Sequence, residues 1–222
     1  MSDSRLGGAW RRYVGWLQAA SGGLAGDLLP PSTGEELVAC EAVIGLALPG
    51  ELRELWGLCG GQATVDAGVG VFPRLDFLGP GWASEEWLMW RRLRDGSSAE
   101  DMVLLSSLST SSPAGAIALS YSSKGWIPVW RLEKAPDYVG LDLEPGPVGT
   151  AGQIINFGRD QDDKVVLAES LAAIVEFFAS EAEGGRLTVV ADPQSGGAYL
   201  EHEAGPMVRV LSERAERDGP LR

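Results

Sequence analysis

Histidine and cysteine are scarce in this chain of 222 residues, which has one histidine, His202, and two cysteines, Cys40 and Cys59. A zinc site with several His and Cys ligands cannot be assembled from so few residues. Two cysteines in a chain of this length do not make a disulfide framework, so both are expected to be reduced thiols. A catalytic triad needs a base, and the single histidine lies in a charged segment, Glu201–Glu203. A histidine-dependent active site is therefore not expected.

Long apolar runs are also missing. No stretch approaches the ~18 consecutive apolar residues that a membrane span requires. The first residues, Met1 to Arg5, contain no apolar signal core. From these two absences we expect a cytoplasmic protein that makes no contact with a membrane.

Basic residues are also few, and acidic residues outnumber them. The chain has 18 Lys and Arg against 31 Asp and Glu, for a formal net charge of −13. Nucleic-acid binding needs clustered cations against the phosphates, so this balance argues against it. The same charge suits a basic protein partner, which acidic groups would attract over a distance. The sequence therefore predicts a protein partner and no nucleic acid.

Motifs for phosphate and metal binding are absent. No Gly-Lys-Ser/Thr tripeptide occurs, which excludes a Walker loop. The acidic run Asp160–Asp163 is superficially similar to a calcium loop, but Val165 and Leu171 stand where such a loop needs glycine and a bidentate glutamate. We predict no metal site and no cofactor. An enzyme with an unlocated pair of carboxylates remains as the catalytic alternative.

What the sequence does contain is helical periodicity in its first half. Apolar residues recur at helical spacing, with capping and stop signals between the segments. The predicted helices run from about Ser4 to Ala20, from the capping residues Ser32 and Thr33 through Ile44, from Pro49 to Gly60, and from about Ser84 to Leu93. Residues Ser106 to Ser112 are predicted to form a polar loop or insert.

The second half predicts a sheet. After a strand-like stretch at Val69–Pro73, short apolar runs between Ile117 and Phe157 are separated by turn residues, which is typical of an antiparallel meander. A patterned helix from about Leu167 to Ala182 follows and is expected to pack on this sheet. The fold class is therefore α+β: N-terminal helices, then an antiparallel meander, then a closing helix.

The predicted domain ends with that helix. Residues 1–184 are expected to form one α+β domain. Residues 185–222 are expected to form an extension with one or two strands, a hairpin turn around Ser195 and a charged tail.

Eight tryptophans are the most unusual feature of the composition. Trp82 follows Gly79-Pro80-Gly81 in a predicted loop, and Trp126 and Trp130 flank a possible edge strand interrupted by Pro128. Tryptophans at such positions can anchor a protein partner, although burial in the core is the alternative. The candidate binding residues are these three tryptophans and the acidic residues of the second half: Trp82, Trp126, Trp130, Asp142, Glu144, Asp160, Asp162 and Asp163.

Four segments, in order, resemble the SUKH superfamily, which contains yeast-type cell-wall assembly regulators and many bacterial immunity proteins. The first is the Leu-Pro helix with its double glycine, Leu48–Gly61, and the second is the Trp-aliphatic-Pro strand, Trp126–Val129. The third is the hairpin Leu141–Ile155, with the strings Leu-Asp-Leu-Glu-Pro and Gly-Gln-Ile-Ile, and the fourth is the helix Ala168–Phe178. Two positions depart from the family pattern, because Cys59 replaces an asparagine and Leu171 a phenylalanine.

The resemblance implies a non-enzymatic α+β binding module. Bacterial relatives commonly neutralise toxins, so an immunity protein that binds a toxin domain stoichiometrically is the first interpretation. The second is a scaffold or interaction protein of the cell-wall-regulator type. The partner would be a basic protein in the first case, and its identity is not encoded in these motifs.

Overall fold

The computed structural model describes residues 4–65, 70–133, 135–192 and 197–222. Within them the chain forms eight helices and nine strands, which confirms the predicted α+β class. The helices are α1 (Arg5–Ala20), α2 (Gly22–Ala25), α3 (Gly34–Ile44), α4 (Gly50–Leu58), α5 (Pro80–Gly96), α6 (Ala99–Ser106), α7 (Leu171–Glu183) and α8 (Met207–Asp218). The strands are β1 (Gly70–Pro73), β2 (Leu75–Phe77), β3 (Thr110–Ser112), β4 (Trp126–Leu132), β5 (Asp137–Asp142), β6 (Gln153–Gly158), β7 (Asp163–Ala168), β8 (Leu187–Ala191) and β9 (Ala198–His202).

The N-terminal helices form where the capping signals indicate. At the start of α3 the Thr33 hydroxyl accepts a hydrogen bond from the Glu36 amide, and the Glu36 carboxylate accepts one from the Thr33 amide. This reciprocal pair satisfies amides that a helix start leaves without partners. Gly45, at φ 72°, ends the same helix in the left-handed conformation that glycine adopts without strain.

The sheet has the order β3-β7-β6-β5-β4-β2-β1-β9-β8. The predicted meander is present, because β4, β5, β6 and β7 pair antiparallel in chain order. The sheet as a whole is mixed, however, since β3 pairs parallel with β7 and β1 pairs parallel with β9. Each parallel pair joins segments that are far apart in the chain, as parallel pairing requires.

Helix α7 closes the core, as the sequence predicts. It packs beside α1 and against β6 and β7. Between these layers Phe72 lies centrally, with ring centroids 4.7 Å from Tyr13, 4.8 Å from Phe178 and 5.7 Å from Trp130. Such aromatic contacts stabilise a core beyond the area that they bury.

Strands β7 and β3 form where the sequence predicts the start of a helix and a loop. Residues 163–168 form strand β7, and the helix begins only at Leu171, where the Ser170 hydroxyl accepts a hydrogen bond from the Ala173 amide. The run Val165–Ala168 is apolar throughout, and periodicity alone does not separate a buried strand from a helix start. Residues 110–112, predicted as loop, form β3 on the edge of the sheet.

The C-terminal segment belongs to the same sheet. Strands β8 and β9 extend it beyond β1, and α8 follows, where the sequence predicts only strands and a charged tail. Leu200, Met207 and Leu211 are buried, and the Leu221 amide donates to the Leu167 carbonyl across 3.0 Å. The predicted turn at Ser195 and the first residue of the predicted strand, Val69, lie outside the described residues.

Candidate functional site

The single histidine is buried, and its ring is held by hydrogen bonds. His202 lies in β9 with 7% of its surface exposed, and its Nε2 is 2.8 Å from a carboxylate oxygen of Glu181. Its Nδ1 accepts a hydrogen bond from the Ala204 amide, and Arg186 also binds Glu181. Both ring nitrogens are thus occupied, which leaves no lone pair for general-base work.

The acidic loop Asp160–Asp163 joins β6 to β7 and is held by ordinary contacts. Asp160 pairs with Arg159 at 2.9 Å, and the Asp163 carboxylate accepts a hydrogen bond from the Thr110 hydroxyl at 2.8 Å. The part of the chain that the structure describes contains no group of three or more His, Cys, Asp or Glu that could hold a metal ion. Nor is any described helix long and apolar enough to cross a membrane.

Trp126 and Trp130 are core residues, which corrects the expectation of an accessible edge strand. Their exposed fractions are 2% and 0%. The reason is that β4 is an interior strand between β2 and β5. Pro128 is accommodated at a shift in the β4–β5 register, so it does not mark an edge.

Asp142 is also buried, with no exposed surface. Its carboxylate accepts hydrogen bonds from the Trp126 indole (3.1 Å), the Gln153 amide group (2.9 Å) and the backbone amide of Glu144 (3.1 Å). Burial is the largest influence on this carboxyl and raises the pKa of Asp142. Glu144 remains exposed, and its carboxylate accepts from the Ser123 hydroxyl. Of the predicted binding residues, therefore, Trp126, Trp130 and Asp142 do not lie on the surface.

Trp82 is the predicted anchor that the structure leaves accessible, with 41% of its surface exposed. It belongs to the first turn of α5 rather than to a loop, because Pro80 is well suited to begin a helix. Trp82 borders a groove between α3 and α5 with a volume of about 700 Å³, which we call the α3–α5 groove. Its apolar lining includes Leu29, Pro31, Val43 and Leu88.

Sequence reasoning missed this groove because two distant segments form it. A Cβ atom on Gly79 would lie 1.7 Å from the Gly60 carbonyl oxygen, so the backbone after α4 touches the backbone before α5. That close approach requires glycine and sets the end of the groove. Cys40 lies in the groove lining, and burial raises the pKa of its thiol, so it packs as a small apolar residue.

Comparison with known proteins places this chain in a family. The model of the SMI1/KNR4 family (SUKH-1) matches residues 31–176, more than half of the chain. The chain belongs to the SMI1/KNR4 family. The matched residues include α3, α5, the meander and the start of α7, and they therefore include most of the α3–α5 groove lining, though not Leu29 and Pro30. The resemblance found in the sequence is thereby confirmed.

Several fungal proteins are similar to this member of the SMI1/KNR4 family. The cell wall biosynthesis/cell cycle regulator smi1 of Schizosaccharomyces pombe is 31% identical over 84% of this chain and 38% of its own length. The cell wall assembly regulator SMI1 of Saccharomyces cerevisiae is 40% identical over 36% of this chain and 16% of its own length. A glucan synthesis regulatory protein of Neurospora crassa is 41% identical over 36% of this chain and 15% of its own length.

These relatives bear on the two interpretations. Their names describe regulators rather than enzymes, and the regulators act on the cell wall or on glucan synthesis. They favour the cell-wall-regulator interpretation over the bacterial immunity protein. The chain spans less than half the length of the S. pombe relative, so that protein's full activity does not transfer to it directly.

Proposed function

We propose that this chain is a regulatory protein-binding module of the cell-wall-regulator type, with no catalytic activity of its own. The observation that carries the proposal is Trp82, exposed beside an apolar groove in a family whose curated relatives are regulators. The buried His202 has both ring nitrogens in hydrogen bonds and is not available as a catalytic base.

The groove has the chemistry of a peptide-docking site. Tryptophan is among the residues that contribute most to protein interfaces, and it contributes most when it lies beside a pocket that excludes water. Trp82 and Leu29, which is 38% exposed, stand at the same groove. A partner segment with a large apolar side chain would bury both.

The charges around the groove indicate which residues should flank the apolar anchor of the partner. Glu36 and Glu85 are exposed and line the groove. An acidic border favours lysine or arginine next to the apolar anchor of the partner. The net charge of −13 acts in the same direction at longer range. We therefore propose a partner that is basic around its apolar anchor.

A chimera tests this function in cells. The aligned segment of the S. pombe relative is replaced by this chain, and growth is measured in the presence of a glucan-degrading enzyme. The chimera should sustain growth, and Trp82→Ala should abolish that protection. Met89→Ala is the matched control, because Met89 is 40% exposed on the same helix but does not line the groove.

The outcomes separate the parts of the proposal. A chimera that is present and folded but gives no protection contradicts the cell-wall assignment. Equal growth of Trp82→Ala and Met89→Ala contradicts the use of the groove. Photo-crosslinking from position 82, with position 89 as control, then identifies the partner segment.

A further inference from the structure

The α3–α5 groove has a second end with different chemistry. A cavity of about 890 Å³ lies beyond Val43, which lines both cavities. Its cationic lining residues are Arg91 and Arg94 from α5 and Lys124 from the loop before β4. In a chain with a net charge of −13, three cations at one cavity are a local reversal of sign.

One tryptophan, Trp87, lies beside both arginines and fixes the backbone at Lys124. The guanidinium carbons of Arg91 and Arg94 lie 5.9 Å and 5.3 Å from the centroid of the Trp87 ring. The Trp87 indole donates a hydrogen bond to the Lys124 carbonyl across 3.0 Å. An aromatic face attracts guanidinium groups without neutralising them, so the positive charge remains available.

The cations also lack strong acidic partners among the described residues. Arg94 is half-buried and donates to two neutral oxygens, the Ser122 hydroxyl at 2.7 Å and the Ser123 carbonyl at 3.3 Å. Arg91 has only a long contact with Asp95, 3.4 Å between exposed groups. Within those same residues the Lys124 ammonium makes no hydrogen bond or ion pair. A half-buried arginine without a carboxylate partner indicates a place for an external anion.

Two acidic residues also line the cavity and partly offset its positive charge, which bears on the kind of anion that would bind. Glu144 accepts hydrogen bonds from the Ser123 hydroxyl and the Gly125 amide, and Asp95 faces Arg91. The lining therefore carries three positive and two negative groups. A single carboxylate gains little from such a balance, whereas a phosphate monoester brings a charge near −2 and three acceptor oxygens.

We propose that this basic end of the groove binds a phosphate monoester on the partner segment, with the apolar anchor of the same segment at Trp82. The inference rests on the proposed function, because it assigns a second feature to the segment that docks in the groove. Arg91, Arg94 and Lys124 contact the phosphate oxygens, and forked donation by Arg94 selects their geometry.

The test uses N-acetyl-O-phosphoserine amide, with N-acetylserine amide and N-acetylglutamate amide as matched probes. Each is titrated into the uniformly ¹⁵N-labelled chain, and the Trp87 indole resonance, assigned by its loss in Trp87→Phe, is followed. The phosphorylated probe should shift this resonance saturably, and the serine probe should leave it unchanged. The glutamate probe should bind at least about tenfold more weakly, because its charge is smaller. Affinity should rise from pH 5 to pH 7.5 as the monoester loses its second proton at about pH 6.

A matched pair of variants makes the test specific. Arg94→Gln should weaken binding at least about tenfold. Arg92→Gln removes the same charge from the neighbouring, exposed position outside the cavity lining and should change affinity less than about twofold. Absence of a saturable shift, or equal weakening by both variants, overturns the proposal. Because the probes carry no apolar anchor, such a result leaves the Trp82 test of the proposed function unaffected.

Discussion

At the scale of single residues, burial decides what each acid and tryptophan does. Asp142 is the clearest case, because its carboxylate receives three donors and nothing from solvent. These donors come from β4, from β6 and from the residues directly after β5. Asp142 therefore ties the strands of the meander together, and its contribution is to stability rather than to binding.

The substitution Asp142→Asn tests this role. The amide nitrogen of asparagine would face the Gln153 amide group, which is already a donor to Asp142 and to the Ala116 carbonyl. Two donors would then face each other in the core, and we expect a loss of about 1–3 kcal/mol in the free energy of unfolding. Urea denaturation measures it.

Asp162→Asn is the control for that experiment. Asp162 is partly exposed, and its carboxylate accepts no hydrogen bond from the described residues. This variant should change the free energy of unfolding by less than about 0.5 kcal/mol. Equal stability of the two variants would show that the buried network contributes little.

The sequence around these residues predicted the family correctly, but it did not predict whether the side chains are buried. The strings around Trp126 and Asp142 were sufficient to indicate the family. Their burial follows from the position of β4 and β5 inside the sheet, which depends on pairing with β2 and β6. No local sequence pattern predicts which strands pair. Trp82 is accessible, but not for the predicted reason, because the loop expected around Gly79-Pro80-Gly81 is the start of α5.

At the scale of elements, a few side-chain contacts join the C-terminal strands to the rest of the sheet. Arg74, in the turn between β1 and β2, pairs with Glu133 at 2.8 Å and Glu201 at 2.5 Å, and it stacks on the Tyr199 ring at 3.7 Å. Its φ of 54° is uncommon for a non-glycine residue. These contacts hold β9 beside β1.

Truncation after residue 184 tests how far the core depends on β8, β9 and α8. The cut exposes β1 as an edge and removes the buried Leu200, Met207 and Leu211. Each such side chain stabilises a fold by about 1.5–3 kcal/mol when buried, and whole domains are stable by only about 5–15 kcal/mol. We expect the truncated chain to lose cooperative thermal unfolding, measured by circular dichroism.

The full-length Leu200→Ala variant accompanies that truncation. It should still unfold cooperatively, with a free energy of unfolding about 2–5 kcal/mol lower. If the truncated chain unfolds as cooperatively and at the same temperature as the full chain, residues 1–184 are an independent domain, as the sequence predicts.

The contact between α7 and β9 makes stability depend on pH. Burial alone would raise the pKa of Glu181, but hydrogen bonds from Arg186 and His202 outweigh it and hold the pKa below its ordinary value. A lowered pKa in the folded state stabilises the fold above the unfolded value of about 4.3. That stabilisation is lost as the pH falls through the lower folded value.

Glu181→Gln should therefore destabilise the protein at pH 7 by about 1–3 kcal/mol and flatten the fall in stability below about pH 4.3. Urea denaturation from pH 3 to pH 7 measures both effects. Glu216→Gln, at an exposed position on α8, should leave the pH profile unchanged. An identical acid-side profile for wild type and Glu181→Gln would contradict this account.

Element prediction succeeded where the signal was local. The Thr33–Glu36 capping box and the Gly45 stop lie within a few residues of the helix ends that they define. Strand β3 was harder, because it is fixed by a parallel partner more than 50 residues away. The C-terminal strands were expected, but not their place in the main sheet, which depends on the parallel pairing of β9 with the distant β1. The α3–α5 groove shares this difficulty, since it depends on contact between Gly60 and Gly79.

At the scale of the whole molecule, negative charge is concentrated in one segment of the second half, residues 141–183. Between Leu141 and Glu183 the chain has nine acidic residues and only two basic ones, Arg159 and Lys164. The structure buries Asp142 and Glu181 but leaves the acidic loop at the surface. The loop therefore contributes to the long-range field that a partner meets first.

That field predicts how a basic partner associates. Changing Asp160, Asp162 and Asp163 together to Asn removes three charges but keeps an oxygen for the Thr110 hydroxyl. With the segment crosslinked at position 82 as the partner, the triple variant should associate several-fold more slowly at low salt, with little change in dissociation. At 0.5 M salt the difference should vanish, because the screening length falls well below its value of about 10 Å at 0.1 M.

A control variant neutralises Glu213, Glu216 and Asp218 on α8. It should slow association less than the loop variant does, because the acidic loop is expected to lie nearer the docking path. Unchanged association at both salt concentrations would exclude the acidic loop from that path and leave the groove residues as the sole determinants of binding.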